Sequence, residues 1–295
     1  MRKLFYTIAA LMFLQLPALA QIFTKPIYVH VSVPAGGVHD IIHRLILTNV
    51  SKHIGQPIVV MNNDAASGIA SGQEVLHLPA DGYNWYATFA QFTITPSVLP
   101  GKMDPHDFRG VAVVANTPMA IVANPKYKSI DDLKNSTELY DLCPALGSIS
   151  CFLNGKLTNQ IDLKSKHVMY GSVPPALLDM SAGRLDWSFT AINVIGGYKD
   201  AGTLNVLATA QENVYPEVKS LKQLGYTGFN LLNWDGILVR KETSDDIVIE
   251  INKYIKETLS DPELIASLKK MNTDAFYLDN KQFDALINKE LEVYK

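Results

Sequence analysis

From Ile27 to Val33 the chain runs Ile-Tyr-Val-His-Val-Ser-Val, a compact β-branched stretch that predicts a buried strand. Pro34-Ala-Gly-Gly37 breaks it. From Asp40 onward, Ile41, Ile42, Leu45, Ile46 and Val50 recur on one face at helical spacing. Gly55-Gln-Pro57 closes that helix, and Ile58-Val-Val-Met61 predicts the next strand. A polar loop, Asn62 to Gly68, leads into a helix near Ala70–Leu78, and the turn Pro79-Ala-Asp-Gly82 introduces a third strand from Tyr83. This β-α-β-α-β order implies a parallel sheet with right-handed crossovers.

Further strands are expected at Val111–Ala115 and Met119–Ala123. A helix start is expected at Ser129, where Asp131 and Asp132 oppose the N-terminal dipole. A second alternating block follows, with strands near Lys166–Tyr170, Leu185–Phe189 and Leu204–Ala208 and a helix at Pro175–Ala182. Leu231 to Arg240 reads as a strand returning to the first block. The tail reads as helical, with Ile247, Ile251, Ile255 and Leu259 four apart and further helical runs opening at Pro262 and Asn280. The fold class that emerges is α/β with two lobes, each a mixed, mostly parallel sheet flanked by helices. Residues 21–122 with 233–295 form the expected first lobe, and 123–232 the second. In such sheets ligands sit at the carboxyl ends of strands, facing helix N-termini.

The first twenty residues stand apart from this pattern. Arg2 and Lys3 precede an apolar run from Leu4 to Leu16, and Ala18-Leu19-Ala20 makes a small-x-small cleavage site. The run is too short for a membrane helix, so residues 1–20 are expected to be a secretory signal peptide. No later stretch is long and apolar enough to span a bilayer, and no membrane insertion is expected after cleavage. The 295 residues carry 26 basic and 29 acidic side chains, and losing Arg2 and Lys3 leaves a net charge of −5. A mildly acidic surface argues against nucleic acid as a partner. Any anion must therefore be held by local geometry. Export also permits disulfides. Cys143 and Cys151 lie eight positions apart. A bridge there would contribute about 2–3 kcal/mol through the unfolded state, and two buried free thiols are the alternative.

Three loops hold candidate chemistry. Pro34-Ala-Gly-Gly-Val-His-Asp40 joins a strand to a helix, and its glycines allow close approach to a main chain whose free N–H groups suit an anion. The same loop contains His39-Asp-Ile-Ile-His43, which mimics the zincin pattern His-Glu-x-x-His. Asp40 is one carbon shorter than the required glutamate and better suited to a helix cap, His39 is expected outside the helix, and no metal is expected. Gly147-Ser-Ile-Ser-Cys151 resembles a nucleophile elbow without its final glycine, and no His/Asp pair stands out as its partners. It suits a ligand cradle better than catalysis.

Taken in order, these motifs resemble those of the Bug-type substrate-binding proteins of tripartite tricarboxylate transporters. The matching segments are Val33-Pro-Ala-Gly-Gly37 with Asp40 and Leu45, then Gly55-Gln-Pro-Ile-Val-Val60 and Asn62, and Pro79-Ala-Asp-Gly-Tyr83. Tyr170, Pro175-Ala-Leu, Gly183-Arg-Leu-Asp186 and Asp261-Pro-Glu complete the set. The resemblance implies a clamshell binding protein in the periplasm of a Gram-negative bacterium, monomeric and without catalysis or cofactor. Such a protein delivers a small carboxylate (a di- or tricarboxylate, or an aromatic acid) to integral-membrane permease subunits. It implies a ligand site drawn from Ala35, Gly36, Gly37, Val38, His39 and Asp40 of the first loop, with Ser67 and Gly68 of the second. Ser148, Ile149 and Ser150, then Asp186 and Thr190, would contribute from the other lobe, and a structural role as a strand-end acid satisfying loop amides is the alternative for Asp186. The family usually has a threonine or serine where this chain has His39, and a run rich in Ser, Thr and Gly where it has Thr88-Phe-Ala-Gln-Phe-Thr93. Phe89, Gln91 and Phe92 at the cleft would favour a more apolar ligand; the alternative is that both phenylalanines belong to the core, the commoner place for Phe. Two other readings stand beside transport: a ligand-binding partner of a periplasmic sensor kinase, and a serine hydrolase using Ser148 or Ser150.

Overall fold

The computed structural model describes residues 22–294; the expected signal peptide, residues 1–20, lies outside the described residues. The chain begins with β1 (Ile27–Val31), α1 (Val38–Ile54), β2 (Ile58–Asn62), α2 (Ile69–Leu76), β3 (Asn84–Phe89), α3 (Gln91–Val98) and β4 (Phe108–Asn116). A second set follows: β5 (Met119–Ala123), α4 (Ile130–Lys134), β6 (Leu139–Cys143), α5 (Ile149–Ile161), β7 (Ser165–Met169) and α6 (Val173–Ser181). It ends with β8 (Trp187–Ala191), α7 (Gly196–Asp200) and β9 (Asn205–Thr209). The chain then returns through β10 (Trp234–Arg240), α8 (Asp245–Thr258), α9 (Pro262–Lys270), β11 (Asp274–Leu278) and α10 (Asn280–Val293).

The strands form two sheets, one ordered β11-β4-β10-β3-β1-β2 and the other β7-β6-β8-β5-β9. In the first, β1 pairs in parallel with β2 and β3, whereas β10 runs antiparallel between β3 and β4, and β11 antiparallel to β4. In the second, β6 is parallel to β7 and β8, and β5 is antiparallel to β8 and β9. Both sheets are thus mixed, and the parallel pairings do not predominate as expected, because strands that return from the other lobe enter against the local direction. The lobe boundary also moves. All of β5 pairs within the second sheet, so the crossing falls at Thr117–Pro118, ahead of the expected 122/123 division. The tail is not wholly helical either: β11 adds an edge strand between α9 and α10. Its five residues are all only half-buried, so they give a weak periodic signal.

Each sheet is covered on both faces. Val29, Val31, Ile42, Ile46, Ile251 and Ile255 form a core under α1 and α8 on one face of the first sheet. On the other face, Tyr86, Phe92, Phe108, Trp234 and Phe283 belong to a cluster that continues into Ile121, Leu153, Trp187 and Phe189 of the second lobe. The two crossing segments are tied together by polar bonds. Thr117 N–H donates to Asn233 C=O at 3.1 Å. The Gln211 side chain accepts from Met119 N–H at 3.0 Å and donates to Leu231 C=O at 2.8 Å.

α10 sends one carboxyl group inward beside the crossing. Glu290 Oε2 accepts from Trp234 Nε1 at 3.0 Å and from the Thr93 hydroxyl at 2.7 Å. Burial pushes this carboxyl up to about 7, against the opposing effect of those two bonds. In the unfolded chain a glutamate ionises near its ordinary value, so the native state loses stability as pH rises from that value to about 7. Glu290→Gln should therefore match the parent's Tm at pH 4.5 and exceed it by several degrees at pH 8. The underlying difference is on the order of 3 kcal/mol. Equal melting curves at pH 8 would show that Glu290 ionises without cost.

Candidate ligand-binding site

The carboxyl ends of β1 and β3 meet the start of β10 at one place, because β10 runs antiparallel to β3 and sets Asp235 opposite Phe89. Three loops close over these ends. The first turns at Pro34–Gly37, where Gly36 has φ +80°, and leads into α1. The second climbs through Ala66, Ser67 and Gly68, all with positive φ, into α2. Only glycine fits the last of these positions, since a Cβ on Gly68 would lie 2.5 Å from the carbonyl oxygen of Ser32. The third is the short step from Phe89 into α3. Gln91 Nε2 donates to Ser67 C=O at 3.2 Å, Tyr86 OH to Gly68 C=O at 3.3 Å, and Ser32 Oγ to Thr88 Oγ1 at 3.0 Å. These bonds fasten the second loop to the sheet and leave a pocket of about 10 Å³ lined by Ser32, Ser67, Gly68, Thr88, Phe89 and Gln91. A much roomier cavity, about 940 Å³, lies elsewhere, between Gln73, His77, Lys102, Asp104 and Leu291, and none of the strand-end loops lines it.

Asp40 is the anchor of the first loop. It is buried, and its carboxylate accepts from Gly36 N–H (2.8 Å), Asn62 Nδ2 (2.8 Å) and Arg44 Nε (2.9 Å). Burial alone would raise the Asp40 carboxyl, but the bonds from Arg44, Asn62 and Gly36 outweigh it and hold the group below its usual range. Gly37 N–H is also taken, by Pro34 C=O at 3.1 Å, and the first intrahelical bond is Ile41 N–H to Gly37 C=O. Among the described residues the first-turn amides of Val38 and His39 thus keep no acceptor, as helix geometry requires. Of the expected backbone donors, Gly36 and Gly37 are already committed within the protein.

His39 lies inside the first turn of α1 and not before it, as the sequence suggested, because the helix starts at Val38 with Gly37 as its cap. Its ring stacks on Phe89 (centroids 4.2 Å apart, planes 18° apart), and its Nδ1 lies 2.7 Å from Asp235 Oδ1. His43, one turn on, sets Nε2 3.3 Å from the same oxygen. The zincin-like spacing therefore places both imidazoles on one carboxylate. No group of His, Cys, Asp and Glu among the described residues is arranged to hold a metal. Burial would raise the Asp235 carboxyl, yet the charges and bonds of His39 and His43 win and hold it down at about 2. Sequence reasoning missed Asp235. The usable signal was a lone acid in the apolar run Trp234-Asp-Gly-Ile-Leu-Val239, since a buried charge needs partners.

The remaining expected residues divide. Phe89 is half-buried at the pocket, whereas Phe92 lines it from the core side, buried in edge-to-face contact with Tyr86 and Phe108. In the second lobe Ser148 caps α5, its hydroxyl accepting from Cys151 N–H at 3.3 Å, and Ile149 and Ser150 are buried behind it. The turn before it presses on the first lobe, since a Cβ on Gly147 would lie 3.1 Å from Val98. Cys143 and Cys151 are joined in a disulfide across this turn, with Cα atoms 4.9 Å apart. Thr190 lies near the carboxyl end of β8, buried, its hydroxyl without a partner among the described residues. Asp186 takes the structural role and not the ligand-side one. It precedes β8, beside Tyr140 at the start of β6, and so sits at the opposite end of the sheet from Ser148. Its carboxylate accepts from Tyr140 N–H and Tyr127 OH, both at 2.8 Å, and pairs with Lys126 at 2.9 Å. It clamps the strand starts together.

The profile of the tripartite tricarboxylate transporter family receptors, TctC, matches residues 42–295. The chain belongs to this family. Curated relatives include BugT of Bordetella pertussis, 25% identical over 82% of this chain and 78% of its own. Another, from Pseudomonas sp. strain P51, is encoded in a tcbD–tcbE intergenic region and is 26% identical over 84% of this chain and 78% of its own. Solved structures with the same fold include MatC from Rhodopseudomonas palustris with bound malate (TM-score 0.80, 20% identity, covering 92% of this chain and 98% of that one). A second R. palustris structure, with adipate, has TM-score 0.81 and 21% identity over 92% of this chain and 95% of that one.

In this TctC receptor the first loop depends on Asp40. Replacing it with alanine would leave Gly36 N–H without its acceptor, Arg44 without its counter-ion, and the Asn62 amide with Val33 C=O alone. Asp40→Ala should lower the unfolding free energy by about 2 kcal/mol, read from the urea midpoint. A loss under about 1 kcal/mol would show that the loop holds its shape without the carboxylate.

Proposed function

We propose that this receptor captures a small dicarboxylate in the periplasm and hands it to the membrane permease of a tripartite transporter. The observation that carries this reading is the free first-turn amides of α1, which meet the Ser67–Gly68 loop and the His39 edge at the strand ends. Helix N-termini favour anions, and loops here can give one carboxylate several donors without a net positive surface. Malate in MatC and adipate in the second R. palustris structure are both dicarboxylates, which supports the same ligand class here. Among the described residues no helix is long and apolar enough to cross a membrane. The pocket of about 10 Å³ lies among the first lobe's own loops and is too small for such a ligand, and capture would proceed by the lobes parting and closing on it. The second ligand carboxylate would then meet the α5 N-terminus and Thr190. The hydroxyl of Ser148 is committed to capping α5 and Ser150 is buried, which favours binding over hydrolysis as the role of that turn.

The test is a thermal-shift and calorimetric screen of the secreted form against malate, adipate, citrate, acetate and benzoate at pH 6. A dicarboxylate should raise Tm, with about 2.7 kcal/mol of added stability at a hundredfold excess over Kd. Stabilisation by none of the five acids, in a protein with a cooperative melt, would overturn the reading.

A further inference from the structure

One feature of the site has no counterpart in simple anion capture by a helix end. Asp235 is fully buried, and one of its oxygens serves both His39 and His43 while Oδ2 has no partner among the described residues. The contact to His39 Nδ1, at 2.7 Å, is a hydrogen bond to an anion, so the shared proton sits on Nδ1. His43 Nε2, at 3.3 Å, is within ion-pair range but off the line of a hydrogen bond. His39 is about a quarter exposed, and its Nε2 bonds to no described residue. The ring cannot swing away, because Phe89 stacks on its face and Asp235 holds its edge.

Fixing Nδ1–H has a chemical consequence. An imidazole with one proton, placed on Nδ1, shows a lone pair at Nε2. Nε2 becomes a donor only when the ring takes a second proton. We propose that Asp235 is a positioning residue that locks His39 in the Nδ1–H tautomer, so that a ligand carboxylate binds His39 only with uptake of a proton on Nε2. This rests on the dicarboxylate-binding reading above and makes capture proton-linked. The titratable groups facing His39 are Asp235 from β10 and, from its own helix, His43 and Asp40. Asp40 is already paired with Arg44, and β3 presents Phe89. Asp235 stays anionic across the working range, since it accepts the short bond from His39 Nδ1 in either charge state of the ring. The proton gained on binding therefore comes from the buffer and rests on His39, where it is balanced by Asp235 below and the ligand above. His43 sets a second imidazole 3.3 Å from the buried carboxylate.

Two measurements decide this. In ligand-free protein at pH 8.5, the histidine ¹⁵N shifts should show His39 protonated on Nδ1 and bare on Nε2. An Nε2–H tautomer there would overturn the proposal whatever the ligand. Malate and adipate are then titrated calorimetrically from pH 5.5 to 8.5, in two buffers of different ionisation enthalpy. Kd should rise by up to about tenfold per pH unit toward the alkaline end, with proton uptake per ligand bound increasing toward one as pH rises. Tight binding of either acid with no proton uptake and no pH dependence would overturn the inference while leaving dicarboxylate capture intact. Failure of both acids to bind at every pH would instead count against the capture reading, while the tautomer is settled by the ¹⁵N shifts. Asp235→Asn should abolish the tautomer preference and flatten the pH profile. Should that variant fail to fold, His39→Gln, at a partly exposed position, should bind with a flat profile and no proton uptake, and a retained pH dependence would exclude His39 as the proton carrier.

Discussion

The antiparallel return of β10 between β3 and β4 is the constraint on which the rest of this structure depends. The chain leaves the first sheet after β4, builds the second lobe, and re-enters the first sheet at its centre. That single pairing welds two distant segments into one lobe and fixes the second lobe on two crossing strands. It also delivers Trp234 and Asp235 to opposite faces of the sheet, as the two-residue period of a strand demands. Trp234 goes to the inner core against Phe283, and Asp235 to the site beneath His39. Register matters here more than affinity for apolar surroundings. A slip of one residue would exchange an indole for a carboxylate on both faces.

Three buried acids show how the fold handles charge. Asp40 is paired with a guanidinium and two amides and stays ionised at the loop it organises. Asp235 is compensated by two imidazoles and also stays ionised. Glu290 has only neutral donors, Trp234 and Thr93, and burial prevails, so its carboxyl holds a proton to about 7. The sign of each shift follows from the partner and not from burial, which all three share. A site intended for an anion can therefore tolerate buried acids, provided each carries its own cation or its own proton.

The second lobe supplies less chemistry and more geometry. The disulfide between Cys143 and Cys151 ties the end of β6 to the first turn of α5, directly where Gly147 meets α3 of the first lobe. At the far end of the same sheet Asp186 gathers Tyr127, Tyr140 and Lys126, and so aligns the strand starts. Asn154 does similar work in the middle, donating to Asp141 and accepting from Phe189 N–H. Polar clamps at both ends hold this lobe as a unit, since such bonds are directional where apolar contacts are not.

Much of the fold is legible in the linear pattern of residues. The alternation of β-branched runs with helical stripes locates β1–β3, α1 and α8, because each buries one face and so writes its period into the chain. The glycine-rich first loop, the Ser67–Gly68 turn and Ser148 are readable as loop chemistry after strands, and the motif order is enough to recognise the family. What the sequence could not supply is every relation between residues far apart. That Asp186 faces away from the ligand side, that Phe92 belongs to the core, and that β11 completes the first sheet all depend on pairing across the chain. The junction of His39 with Asp235 spans 196 positions and exists only because β10 returns antiparallel beside β3. Local patterns fix elements, since they act through neighbouring bonds. The site is made by strand register, which only the folded sheet decides.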